Sequence, residues 1–261
     1  MLSQNQIKHI TALKVKKFRE ETGLFLAEGH KLVTDLLNSR YRVKEVFASA
    51  DWIIQNLPLL QSKGIHAFET LPREMERISG LTTPGPVLAV VEIPNAGMQE
   101  CDISPRHHIT TELSLALDDI RDPGNLGTIL RIADWFGIGE VICSENTVDL
   151  YNPKVVQATM GSITRVNVGY CDLAKTLEQM QGKCPVYGAF LAGDNLYGEP
   201  LDPRGIIVIG NESRGISKEL EPYITRRLFI PSFGSGSKAE SLNASVATAV
   251  ICAEFRRQQS A

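Results

Sequence analysis

Residues 230–250 read I-P-S-F-G-S-G-S-K-A-E-S-L-N-A-S-V-A-T-A-V. An apolar run closes at Pro231, a loop of small residues follows, and an Ala/Val-rich segment opens near Ser241. Gly234, Gly236 and Ala239 spell G-x-G-x-x-A between a predicted strand and a predicted helix, part of a dinucleotide-binding fingerprint. The remainder of that fingerprint is a second strand ending in an acidic residue about 20 positions beyond the glycines. The helix is expected to run to about Arg257 and the sequence ends at Ala261, which leaves no room for that strand. Nor does the loop match the phosphate-binding G-x-x-x-x-G-K-[ST], because Lys238 follows Ser237. The dinucleotide reading therefore fails, and on this loop alone a flexible surface loop remains the plain alternative.

Working outward, apolar strands alternate with helical patterns. SLALDD, GEVICS, PVYGAFLA, GIIVIG and RLFIP read as strands. LGTILRIADWF, PKVVQATMGS, LAKTLEQM and SLNASVATAVICAEFRR read as helices. The alternation predicts an α/β domain over 113–261, its parallel sheet covered on both faces and its chemistry at the carboxyl ends of the strands. In the last helix Leu242, Val246, Val250 and Ala253 form a stripe expected to pack on the sheet. A polar stretch with two prolines, from Pro94 to about Glu112, marks a domain boundary, and 96–112 reads as a linker. Before it, residues 1–95 form a small α/β unit. A basic helix is expected over 4–19, strands at FLAEG, VKEVFAS, GIHAF and VLAVVEI, and helices at HKLVTDLLNS and PREMERIS.

Composition narrows the function. The chain has 261 residues, 43% hydrophobic and 22% charged, with a formal net charge of −3. A polyanion site must then be a local patch. MLSQNQIKHI is too polar for a signal peptide, and no apolar run approaches the ~20 residues of a membrane span. The five cysteines are scattered without C-x-x-C and read as reduced, mostly buried thiols, which suits the cytoplasm. His107-His108 lies in the linker without neighbouring ligands, so no metal site is expected.

Three motifs sit at predicted strand ends. In D-D-I-R-D-P-G-N-L-G-T-I-L-R (118–131), the Asp122-Pro123-Gly124-Asn125 turn starts a helix. Leu126, Ile129, Leu130, Ala133 and Phe136 form its apolar arc, with Gly127, Arg131 and Asp134 beside it. Arg131 on its own is more readily read as a surface residue paired with Asp134 at i+3. In I-V-I-G-N-E-S-R-G-I (207–216), a buried strand runs into Gly210, which admits a ligand close to the backbone, then into Asn211 and Glu212. In the third, Ser241 or Asn243 is also readable as a plain N-cap.

Taken together, N-L-G-T-I-L-R, I-G-N-E, and I-P with S-L-N-A-S-V-A resemble, in order and spacing, the SpoU (TrmH-type) family of S-adenosylmethionine-dependent RNA 2′-O-ribose methyltransferases. FLAEGHKLVTDLL is similar to that family's ribosomal-protein-like substrate-binding domain. The loop before Ser241 is longer than in many members. The resemblance implies a trefoil-knotted catalytic domain, a homodimer, and methylation of a ribose 2′-hydroxyl in RNA, foremost ribosomal RNA. A transfer-RNA target and a catalytically silent RNA-binding factor are the alternatives. It further implies S-adenosylmethionine bordered by Gly210, Ile230 and Leu242, and a leading role for Arg131, with Asn125, Glu212, Ser241 and Asn243 shaping the site. A guanidinium, with a pKa above ~12, is a poor base. Arg131 is therefore expected to grip the phosphate adjoining the target ribose while a phosphate oxygen or water takes the proton. Lys8, Lys14, Lys16, Lys17 and Arg19 form the local basic segment expected to track RNA phosphates.

Overall fold

In a computed structural model the described residues are 2–94, 112–234 and 240–259. They fall into two compact units, one from the described part of Met1–Gln99 together with Asp149–Thr164, the other from the rest. The linker residues, including His107-His108, and most of the G-x-G-x-x-A loop lie outside the described residues.

The first unit opens with α1 (Gln4–Ala12) and α2 (Lys16–Thr22), two helices where the sequence suggests one. The break has a physical cause. Val15 is extended, and the turn lets the Arg19 guanidinium fold back to donate to the carbonyl of Leu13 at 2.9 Å, capping the end of α1. There follow β1 (Leu24–Glu28), α3 (His30–Leu37), β2 (Val43–Ala48), α4 (Ala50–Ser62), β3 (Ala67–Glu69), α5 (Pro72–Ile78) and β4 (Val87–Glu92). The sheet order is β1-β4-β2-β3, with β4 antiparallel to both β1 and β2. Ile10, Leu13, Leu26, Phe47, Ile78 and Leu88 fill its core. Helix α4 has no counterpart in the sequence reading. Its Pro58 interrupts the pattern, yet Ser49 caps its start and Trp52 and Leu60 anchor it.

The second unit begins with β5 (Leu113–Leu117), α6 (Pro123–Trp135) and β6 (Glu140–Ser144). The chain then contributes α7 (Pro153–Ala158) to the first unit and resumes with β7 (Asn167–Cys171), α8 (Leu173–Met180) and β8 (Val186–Phe190). The short β9 (Asp194–Asn195), then β10 (Gly205–Ile209), β11 (Arg226–Phe229) and α9 (Ala244–Gln259) complete it. The seven strands run β7-β6-β5-β10-β8-β11-β9, and every recorded pairing is parallel. The α/β parallel-sheet expectation holds. Strands β7 and β9 escaped the sequence reading because neither carries a buried apolar run.

Two features of this sheet position the site. Successive strands β5, β6 and β7 build outward in one direction, while β10 and β8 lie on the other side of β5. The order therefore reverses between β5 and β10, where ligands of open parallel sheets bind. Helices α6 and α9 run parallel. Asn243 at the start of α9 bonds Asn125 at the start of α6, and Arg256 near the end of α9 donates to the Phe136 carbonyl at 2.7 Å. Helix α9 buries Ala244, Ser245, Thr248, Ile251, Cys252 and Phe255, not the expected Leu242/Val246/Val250/Ala253 stripe. The buried arc begins with small residues and α6 offers buried Gly127 and Ala133, which permits close approach of the two helices. Leu242 and Val246 are left about half exposed, at 49% and 48%.

Among the described residues four cysteines are free, and burial pushes the Cys252 thiol up to about 12. No described helix is long and apolar enough to cross a membrane.

Candidate active site

The loops after β5 and β10 meet because their strands are parallel neighbours. The Asp118 amide continues the ladder to the Ile209 carbonyl at 2.9 Å. After β5, Asp122 caps α6 by accepting from the Asn125 amide at 2.8 Å, and Pro123 occupies the first turn, where no amide is needed. This turn buries Asn125 to 8% exposure with its side chain directed at the β10 loop.

After β10 the chain makes a tight turn closed by Asn211 and Gly215, whose backbones exchange hydrogen bonds at 3.0 and 2.9 Å. Gly210 is required here by the turn itself. A Cβ at Gly210 would stand 2.2 Å from the Gly215 carbonyl carbon and the Ile216 nitrogen, so the space is taken by the chain's own turn. The turn presents Glu212. Its Oε1 accepts from Asn125 Nδ2 at 2.9 Å and from the Asp122 amide at 3.2 Å, and its Oε2 accepts from the Arg121 amide at 3.4 Å.

Asn243 completes the chain of bonds. Its Oδ1 caps α9, accepting from the Ser245 amide at 2.9 Å and the Ser245 hydroxyl at 2.6 Å, while its Nδ2 donates to Asn125 Oδ1 at 2.9 Å. The N-cap reading of this residue holds, and the same amide also reaches Asn125. The orientation of both amides follows. Helix donors claim one end of the relay and a carboxylate claims the other, so each amide can point only one way.

Partial burial raises the Glu212 pKa, but hydrogen bonds from Asn125 and the backbone amides outweigh it and hold the carboxyl below its ordinary value. Glu212 is thus kept as an anion beside the N-terminus of α6, where the helix dipole favours it. It serves as an acceptor that ties two loops together.

A model of the SpoU rRNA Methylase family matches residues 112–253, and one of the MRM3-like substrate binding domain matches residues 4–89. The chain belongs to the SpoU rRNA methylase family. It is 29% identical over 257 residues to the 23S rRNA (guanosine(2553)-2′-O)-methyltransferase RlmP of Bacillus subtilis, covering 97% of each chain. Among solved structures, a Porphyromonas gingivalis protein assigned to the TrmH family of RNA methyltransferases superposes with a TM-score of 0.82 at 40% identity, covering 99% of each chain. The AdoMet-bound rRNA methyltransferase of Sinorhizobium meliloti gives a TM-score of 0.81 at 28% identity, covering 98% of this chain and 97% of that one.

Of the residues that the SpoU resemblance marks, the structure joins Asn125, Glu212 and Asn243 in one relay. Arg131 lies further along α6, exposed and without a hydrogen bond or ion pair among the described residues. Asp134 does not pair with it; its carboxylate takes Arg165 at 2.9 Å instead. Ser241 is exposed, with no hydrogen bond among the described residues. Ile230, half-buried, follows β11, and Leu242 precedes α9.

The basic segment needs correction. Arg19 is 3% exposed, and its guanidinium is committed to Asp149 at 2.7 Å and to the Leu13 carbonyl, so it does not face a phosphate. Lys14 is half-buried and donates to the Ser79 carbonyl at 2.6 Å. Lys8, Lys16 and Lys17 are exposed, the last two with only loose i,i+4 partners at 3.6 and 3.8 Å. What the sequence reading missed is a charged cluster on the same two loops, in which Arg121 and Arg214 converge on Asp119. The alternating charges of D-D-I-R-D were visible, but their partners depend on the contact between β5 and β10.

Proposed function

We propose that this chain transfers a methyl group from S-adenosylmethionine to a ribose 2′-hydroxyl of RNA, with ribosomal RNA as substrate. The observation that carries the reading is the Glu212–Asn125–Asn243 relay, which draws the three family motifs into one site at the switch point of the sheet. Relatives named as ribosomal RNA methyltransferases support the substrate class.

The residues at the strand ends fit this cofactor. Leu191 after β8, Phe233 after β11 and Leu242 before α9 are large apolar side chains left exposed. Such surface suits an adenine and the methylene groups of a methionine chain, and it suits a ligand without phosphate. Gly210, Ile230 and Leu242 would hold it, with backbone groups of these loops as hydrogen-bonding partners. Bound S-adenosylmethionine would supply an electrophilic methyl group on a positive sulfonium. The protein's own part is to align and activate a weak nucleophile. Arg131, free of intramolecular partners among the described residues, would grip the phosphate next to the target ribose with its planar fork and favour developing alkoxide charge. Glu212 has both carboxylate oxygens committed to Asn125 and to the amides of Arg121 and Asp122, which fits a structural role better than proton transfer. A phosphate oxygen or water takes the proton, while Glu212, Asn125 and Asn243 keep the loops in register and Ser241 is positioned on the same approach to α9.

RNA binding by the first unit falls to Lys8, Lys16 and Lys17. The trefoil knot, a homodimer and cytoplasmic residence belong to the same reading. Half-exposed Leu242 and Val246, with Trp135 at 85% exposure, supply apolar surface for a second copy. Two measurements test the reading. Calorimetric titration with S-adenosylmethionine, alone and with ribosomal RNA, is expected to show binding; none in either case leaves an RNA-binding factor without catalysis. Ribose-methylation mapping of total RNA with and without the gene is expected to lose one ribosomal site, and a loss confined to transfer RNA would redirect the assignment.

A further inference from the structure

Asp119 is held more firmly than a surface loop residue requires. Its backbone adopts a left-handed conformation (φ 56°), its amide donates to Ser144 Oγ at 2.8 Å, and its carbonyl accepts from Asn211 Nδ2 at 2.8 Å. Its side chain, 15% exposed, then receives two arginines from two different loops. Arg121 Nε donates to Oδ1 at 2.8 Å, and Arg214 Nη2 donates to Oδ2. Both guanidiniums remain open to solvent, at 64% and 67% exposure. Exposed ion pairs add little to stability, so this constraint needs another explanation.

Geometry supplies one. Each arginine uses one donor group on Asp119, which leaves the rest of its fork free. The Arg121 amide also donates to Glu212 at 3.4 Å, and Asn211 orders the Arg214 turn by accepting from the Ser213 and Arg214 amides at 3.0 and 3.1 Å. The arginines are thus fixed to the same backbone that carries the Glu212–Asn125–Asn243 relay. We infer that Arg121 and Arg214 form a clamp for a backbone phosphate of the RNA substrate, a contact separate from that of Arg131, with Asp119 as the positioning residue that holds the two forks ready.

The inference rests on the RNA methyltransferase reading, and the test separates the two. The probe is ribosomal RNA from cells lacking the gene, used both for cofactor-free binding over a salt series and as methyl acceptor. Replacing both arginines (Arg121→Gln with Arg214→Gln) is expected to weaken RNA binding about tenfold and to lower the log–log salt slope by roughly 0.7 to 0.9, the value of one phosphate contact. Asp119→Asn keeps the left-handed backbone accessible and removes a negative charge. A purely electrostatic patch would then bind RNA more tightly. A positioned clamp predicts the opposite, a severalfold higher KM for RNA with kcat little changed. An unchanged salt slope in the double variant, or tighter RNA binding by Asp119→Asn, overturns the clamp. If the wild-type protein transfers no methyl group to this RNA, the activity reading fails, while the salt slopes and the direction of the Asp119→Asn effect on affinity still decide the clamp.

Discussion

Three replacements at Asn243 separate the two hydrogen-bonding roles of its amide. Asn243→Ala removes the cap on the Ser245 amide, which costs about 1 kcal/mol. It also strands Asn125 Oδ1, whose residue is only 8% exposed. Because Asn243 itself is exposed, water can reach part of that gap, so the lower end of the usual penalty applies, about 1 kcal/mol. The alanine variant should therefore lose about 2 kcal/mol in all. Asn243→Ser keeps a capping oxygen but lacks the amide donor, and should lose about 1 kcal/mol. Asn243→Asp caps well yet sets a carboxylate against Asn125 Oδ1. If the Asn125 amide turns over to meet it, that oxygen faces Glu212 instead. This variant should be less stable than the serine form at neutral pH and should recover on acidification, as the new carboxyl takes up a proton. Urea unfolding gives the global cost, and amide hydrogen exchange at Ser245 reads the cap locally. Equal stability of the serine and alanine forms would refute the capping role. A serine form as stable as the wild type would show that the bond to Asn125 contributes nothing.

Other perturbations address single groups. Glu212 has a folded pKa below its ordinary value of 4.5, so its contribution is present above that value and is lost as pH falls through the folded pKa. Acid unfolding curves of wild type and Glu212→Gln should accordingly converge below about pH 4.5 and separate above it, with the wild type the more stable. Arg131→Lys keeps the charge and loses the fork. With no partner to lose among the described residues, its melting temperature should match the wild type, while methyl transfer falls at least tenfold; near-normal turnover would make the fork dispensable. Arg19→Ala should cost the first unit about 3 kcal/mol in urea unfolding, because it leaves Asp149 unpaired in a partly buried setting. By contrast Lys16→Glu with Lys17→Glu should leave stability within ~0.5 kcal/mol, weaken RNA binding and flatten its salt dependence.

The relay couples the start of α9 to the setting of the two loops through shared groups. The oxygen of Asn243 that starts α9 and the nitrogen that orients Asn125 belong to one amide, so the helix cannot form correctly without also setting the relay. Glu212 likewise holds the amides of Arg121 and Asp122 as it accepts from Asn125. A carboxylate that stabilises the meeting of two loops need not be a proton acceptor to be indispensable.

Much was legible in the sequence because it is local. Alternating strand and helix periods imply a parallel sheet, the turn residues Asp122-Pro123 mark the start of α6, and the motif residues stand at strand ends where ligands bind. The helix period also yields an apolar arc, but α9 carries two. Only the approach of α6, with Gly127 and Ala133 buried, selects the arc of small residues and leaves Leu242 and Val246 outside. Arg19 reads as one more cation in a basic run until the break after α1 turns it inward onto Asp149, far away in sequence. Asp119, Arg121 and Arg214 read as ordinary surface charges until β10 is laid beside β5. Amino-acid pattern alone determined the fold class, the family motifs and the type of chemistry. Tertiary structure decided which face is buried and which charges pair, because both depend on strand order and long-range contact, and a period along the chain carries neither.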